Sequence, residues 1–343
     1  MSMSFRSSPL LQHRPQRSRG FTLVELMVAL TVGMIILLAL TLVFSRNNSN
    51  LMEVEKTGRQ MENGRFALDM LGEEVRHAGF YGEVDPDNLA VTYTTPAPCE
   101  TDLTKLGWDT STASVKMPAA ILGTSDASTL PCLSNAVGNS EAVTFRYLDT
   151  GDEVSTASVK AGNLYIQISR CSSDALQLAS GYKTDDFKTL RNLACSASYA
   201  YVRRYRSRTY YVASCDDCGG GDGIPTLKRV ELVDGTLTTS AVAEGVEKLV
   251  VEYGVDTDSD GVVDKYTDST TLNKAVAPVL WTNVIDVRLH VLSRNTETSP
   301  GYTDPRTYTM GSVNYTPADA YKRTLLRATA RLTNIGNRRD SKL

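Results

Sequence analysis

Between Leu26 and Phe44 the chain runs for 19 residues without a charge. Rising about 1.5 Å per residue as a helix, that stretch is long enough to cross the hydrocarbon core of a membrane. The twenty residues at the start hold Arg6, Arg14, Arg17 and Arg19 and no acid. The positive-inside rule keeps them in the cytoplasm and sends the rest of the chain to the far side. A secretory signal would carry its small-residue cleavage site after the apolar run. Val43, Phe44, Ser45, Arg46 and Asn47 stand there instead, so the anchor is expected to stay attached.

The junction of charged and apolar segments reads Gly20-Phe21-Thr22-Leu23-Val24-Glu25-Leu26. It resembles the cleavage and methylation motif of type IV prepilins, shared by pilins and by the pseudopilins of type II secretion. The resemblance implies that a prepilin peptidase cuts between Gly20 and Phe21 on the cytoplasmic side and that the new amine of Phe21 is methylated. Residues 1–20 would then be a leader and the mature chain would begin at 21. Physical chemistry fits these roles. A glycine lets an extended backbone enter a protease cleft, and an ionised carboxylate inside a membrane costs several kcal/mol unless it is partnered. Glu25 therefore calls for a cation; by the resemblance, this is the N-terminal amine of a neighbouring subunit, which makes Glu25 a registration device in a filament.

A helix is expected over 21–78, with a membrane part at 21–44 and an amphipathic part at 45–78. Leu51, Val54, Gly58, Met61, Arg65, Leu68, Leu71 and Val75 follow one another at spacings of three or four, the stripe of a helix laid on a globular partner. Gly58, Gly64 and Gly72 would mark bends or loosened turns. Gly79, Gly82 and Pro86 end the helix and open a head over 79–343. Strands are expected at 142–148, 164–169, 199–213, 227–233, 248–253, 284–292 and 325–332. The fold class is α+β: one long transmembrane-to-amphipathic helix packed on an antiparallel sheet. Gly245 to Val255, the aspartate-rich turn after it and Val284 to Leu289 are similar to the C-terminal region of PilW-type minor pilins. The cysteine-bearing middle, 80–225, matches no pattern.

In that turn Asp256, Asp258 and Asp260 alternate before Gly261, and Asp264 holds the ninth position. Several carboxylates on one tight loop suit calcium, with the backbone carbonyl near Val262 completing the set. Thr267, not glutamate, stands twelfth, so no EF-hand switch is inferred. The alternative is a solvated acidic hairpin tip. Cys99, Cys132, Cys171, Cys195, Cys215 and Cys218 all lie beyond the apolar run, where an oxidising compartment pairs thiols. Nearness favours Cys99 with Cys132, Cys171 with Cys195 and Cys215 with Cys218 without deciding among the connectivities. Cys215-Asp216-Asp217-Cys218 has the redox-motif spacing. Two aspartates between the thiols and glycines after them point to a structural disulfide instead.

Tyr201, Arg203, Arg204, Tyr205, Arg206, Arg208, Tyr210 and Tyr211 interleave aromatic rings with positive charge. That composition could stack bases or form a half-exposed edge strand with stacked guanidinium groups. A net charge of −3 weakens the first reading, and no nucleic-acid partner is expected. His13, His77 and His290 are the only histidines, too few for a histidine-based zinc site or a serine triad. No enzyme and no catalytic residue is expected. The resemblance implies a minor pilin in the inner membrane with its head in the periplasm, later in the pilus. Its partners would be the peptidase, the major pilin, other minor pilins of a tip or priming complex, and a tip adhesin. The alternative is a pseudopilin at the tip of a type II secretion pseudopilus. A DNA-binding pilin and a tethered periplasmic dithiol protein are further rivals.

Overall fold

A computed structural model describes residues 20–84, 89, 91–110, 114–151, 153–174, 176–274 and 279–340; most of the leader and Pro86 lie outside them. Helix α1 runs unbroken over Leu23–His77. The chain divides into two compact units, one ending at Val54 and one beginning at Glu55. The last turns of α1 thus belong to the same compact unit as the strands.

After α1 come β1 (Val91–Thr94), β2 (Val115–Pro118), β3 (Ile121–Thr124), β4 (Ala142–Leu148), β5 (Tyr165–Ile168), β6 (Leu178–Gly181), β7 (Val202–Ala213), β8 (Thr226–Val233) and β9 (Thr236–Glu244). The C-terminal part holds β10 (Val246–Val255), β11 (Lys265–Thr267), short helices α2 (Ser269–Lys274) and α3 (Val279–Thr282), β12 (Val284–Arg294), β13 (Tyr308–Met310), β14 (Val313–Tyr315), β15 (Arg323–Arg331) and helix α4 (Thr333–Asp340). Two antiparallel sheets carry the head in place of the single sheet expected. One has four strands in the order β11-β10-β12-β15. The other has seven, running β3-β4-β7-β5-β6 with β8 also on β7 and β9 on β8. The pair β1–β2 is parallel.

Ala67, Leu68, Leu71 and Val75 of α1 enter one core with Phe145 and Tyr210 of the larger sheet and Leu249, Val251, Val287 and Leu289 of the smaller. Removing such side chains from water stabilises by about 25 cal/mol per Å², which is what binds the helix to both sheets. Glu141, just before β4, ties the sheets together. Its amide donates to Leu249 O, and its carboxylate accepts from the Val251 amide and the Tyr253 hydroxyl at 2.9 and 2.8 Å. Burial pushes this carboxyl up to about 7.

The buried face of α1 departs from the apolar stripe read from sequence. It runs through Gln60, Gly64, Ala67, Leu68, Leu71, Glu74 and Val75, while Leu51, Val54 and Met61 are exposed. Gln60 Nε2 donates to Ser293 O at 2.7 Å, and Ser293 Oγ returns a bond to Gln60 O at 3.0 Å. One turn on, a side chain at Gly64 would collide with Leu326 and press on Ser293. Gly64 is therefore a contact glycine that lets the helix close onto β12 and β15, not a bend. The helix ends at His77 and the chain turns away at Gly79, whose φ of 74° is one that glycine adopts freely. Asn334 Nδ2 and Thr333 Oγ1 cap the exposed carbonyl of Arg76 at 2.8 and 3.1 Å from the other end of the chain.

Candidate functional site

Gly20 and Phe21 lie in irregular, exposed backbone ahead of the first helical turn, accessible to a processing enzyme. Thr22 is the N-cap. Its Oγ1 accepts from the Glu25 amide at 3.2 Å, while Glu25 Oε2 accepts from both the Thr22 amide and the Thr22 hydroxyl at 3.0 Å. This reciprocal pair is a capping box. It meets part of the Glu25 demand for donors within the chain. Because it uses the amide of Thr22, it would be kept after a cleavage before Phe21. Beyond it, every large apolar side chain from Leu23 to Val54 is exposed, and the helix is apolar enough to cross a membrane.

The aspartate turn joins β10 to β11. Asp256, Asp258 and Asp260 bring carboxylate oxygens within 4.8 Å of one another. The buried Asp256 carboxylate accepts from the Ser259 amide at 2.7 Å and the Gly261 amide at 3.0 Å, and Asp260 accepts from the Val262 amide at 2.7 Å. Gly261 sits at φ 81°, so the tight turn needs glycine there. The Asp260 amide draws the Asp258 carboxyl down, but desolvation and the charges of Asp260, Asp264 and Asp256 outweigh it and leave that carboxyl above its ordinary range. Asp264 does not join the group. It accepts from the amide and hydroxyl of Thr257 and closes the loop. Arg331 reaches the turn from β15, donating to Gly261 O at 3.1 Å.

All six cysteines are paired: Cys99 with Cys132, Cys171 with Cys195, and Cys215 with Cys218. The last closes a loop after β7. There Asp222, four residues past the motif, accepts from the amides of Asp216, Asp217 and Ile224, and Asp217 accepts from those of Gly219 and Gly220, so these two carboxylates fold the turn.

The tyrosine and arginine run is β7, a central strand and not an edge, with β4, β5 and β8 all paired to it. Arg208 donates to Glu74 Oε1 at 2.7 Å and to Glu231 Oε2 at 3.0 Å. The hydroxyls of Tyr147 and Tyr210 donate to the same Glu74 carboxylate at 2.9 and 3.0 Å. Arg206 pairs with Glu231 and Asp149. Burial alone would lift the Glu231 carboxyl, but the Arg208 charge and the Arg206 bond hold it below its ordinary range. Arg203 and Arg204 donate to backbone carbonyls. These cations are engaged by carboxylates and carbonyls of the head, and Arg208 pins α1 through Glu74.

Two comparisons fall on the two regions just described. Residues 15–41 match the prokaryotic N-terminal methylation motif, and residues 209–334, from the end of β7 into α4, match the family described as Type IV Pilus-assembly protein W. Together the two matches support a type IV minor pilin of the PilW type. The methylation motif of this pilin implies processing by prepilin peptidase and assembly with other pilins. Its apolar helix anchors it in the membrane before it enters a surface pilus. The PilW match takes in the aspartate turn and the Cys215–Cys218 loop and leaves the other two disulfides outside it. No curated protein matches the chain. Among solved structures, a type IV-like pilin from Thermus thermophilus is similar at 13% identity and a TM-score of 0.34, over 81% of this chain and 98% of that one. That likeness is too loose to bear on fold or function.

Proposed function

We propose that this PilW-type pilin starts pilus assembly in a tip or priming complex with other minor pilins, and there supports an adhesin. The observation that carries this reading is the elaborated head on a pilin helix: fifteen strands and three disulfides among the described residues, bulky for a subunit repeated along a shaft. Cleavage falls between Gly20 and Phe21 and leaves a methylated amine on Phe21. Glu25, held by Thr22 through Oε2, takes the amine of a neighbouring subunit as its cation and so sets register.

Deletion of the gene and counting of surface pili by electron microscopy test the role. Loss of pili restored by the intact chain, but not by a Gly20 variant that the peptidase does not cut, is the expected result. Normal piliation with a defect in protein secretion would instead place the chain in a type II secretion pseudopilus.

Within the head, Asp256, Asp258 and Asp260 are proposed to hold calcium, which would supply the positive charge that three adjacent carboxylates lack. Calcium should raise the melting temperature of the intact protein by mass action, and Asp258→Ala should remove the rise. Equal melting with and without calcium would leave the turn an acidic hairpin tip.

A further inference from the structure

The Cys215–Cys218 loop differs from the other two disulfides in what its sulfurs meet. Lys228 Nζ, on β8, donates to Cys218 Sγ at 3.4 Å and to Asp216 O at 2.8 Å. The sulfurs of the other pairs meet neutral groups, the Cys132 amide at Cys99 and the Ser173 hydroxyl beside Cys171 and Cys195. Cys218 is half-buried and followed by the exposed Gly219 and Gly220, whereas Cys215 is only 7% exposed. A partly exposed sulfur beside a cation is the setting in which a cysteine reacts, because the thiolate is the nucleophile and positive charge favours it.

The acids of the loop oppose that reading on charge alone. In the structure, however, the Asp217 carboxylate is occupied by the amides of Gly219 and Gly220, and that of Asp222 by the amides of Asp216, Asp217 and Ile224. Asp216 is left as the acid set against Lys228, its Oδ1 buried without a hydrogen-bond partner among the described residues. Arg294 of β12 brings a second positive charge to the loop, donating to Gly223 O at 2.9 Å. The same amide bonds, with Lys228 on the Asp216 carbonyl, hold the turn independently of the S–S bond, so opening it leaves the two sulfurs within reach of each other. The pair is separated by 3 residues, against 33 and 24 for the others, and a short loop restrains the unfolded chain least. Losing this disulfide therefore costs the head least.

We propose that Cys215–Cys218 is a thiol–disulfide exchange site that oxidises external thiols. An incoming thiolate, drawn by Lys228, attacks Cys218 Sγ; the mixed disulfide forms as the Cys215–Cys218 bond breaks, and Cys215 leaves as a thiolate that takes a proton from water. A second thiolate attacks the external sulfur of the mixed disulfide, the external disulfide forms, and Cys218 leaves as a thiolate held by Lys228. Two electrons pass from the two thiols to the cysteine pair. A cation that stabilises the departing thiolate makes a disulfide a stronger oxidant. This activity goes beyond pilus assembly and does not depend on it.

The test equilibrates the full-length protein in detergent with reduced and oxidised glutathione at set ratios, quenches in acid, and reads each disulfide by alkylation and mass spectrometry. Cys215–Cys218 should open at ratios that leave the other two closed. Lys228→Met should demand a ratio about tenfold more reducing and, in the reduced protein, raise the midpoint of Cys218 alkylation by about one pH unit. Asp216→Asn should move both readings the opposite way, and Lys228→Arg should keep them near wild type. Should Lys228→Met melt early, Asp216→Asn decides. Opening of all three disulfides together, opening of Cys215–Cys218 last, or unchanged readings in the deciding variant would overturn the proposal.

Discussion

The two halves of α1 are one continuous helix with opposite needs. Up to Val54 its large apolar side chains all face outward, with Leu37 at 66% exposure. From Glu55 onward it is fitted to its own head, where Gln60, Gly64, Leu71 and Glu74 are buried against named partners. From Leu26 to Phe44 the first half carries no charge, because a lipid or filament environment asks for apolar surface. The second half mixes polar and apolar residues, because each position meets a different atom of two sheets. The lesson is that hydrophobicity identifies a helix written for an external solvent, while specificity in a packed helix rests on its polar and glycine positions.

The sharpest way to break this contrast is Glu74→Ala. It strips the carboxylate from Arg208, Tyr147 and Tyr210 at once, and it should destabilise the head by about 3 kcal/mol. The figure sits at the low end for a buried pair because Arg208 keeps Glu231. Denaturant titration with a near-wild-type midpoint would show that α1 is held by apolar contact alone. Gly64→Val should cost about 1–3 kcal/mol by overpacking against Leu326 and Ser293, read as a lowered melting temperature. Gly72→Ala is its counterpart. Space is open there, and the helix should gain up to about 1 kcal/mol, so a rise in melting temperature is expected where Gly64→Val gives a fall. Smallest of all, Leu37→Ala should leave the unfolding of the head unchanged, and a shift there would mean that the outward half is coupled to head stability.

Legibility followed the same division. The membrane segment, the Gly20–Glu25 motif and strands such as Ala142–Leu148 stood out in the residues because local composition suffices to specify them. The amphipathic face did not. Gln60 and Glu74 are polar, and their partners Ser293 and Arg208 lie 233 and 134 residues away, beyond any periodicity. The Tyr and Arg run looked like an edge because its neutralising carboxylates come from Glu74, Asp149 and Glu231. Strand β9, Thr236–Glu244, is rich in threonine and serine with little apolar alternation, so it gave no strand signal. In the acidic turn, three of the four aspartates were placed together, whereas Asp264 answers to Thr257. The capping box was present in Thr22-Leu23-Val24-Glu25 and could have been read from that spacing.

The central claim is that the outward half of α1 is built for neighbouring subunits, with Glu25 as its registering charge. The direct measurement is quantitative immunoblotting of sheared pili and membranes from cells producing wild type or Glu25→Ala. The account predicts normal processing and membrane levels of Glu25→Ala together with its loss from the pilus fraction. Incorporation equal to wild type would contradict it.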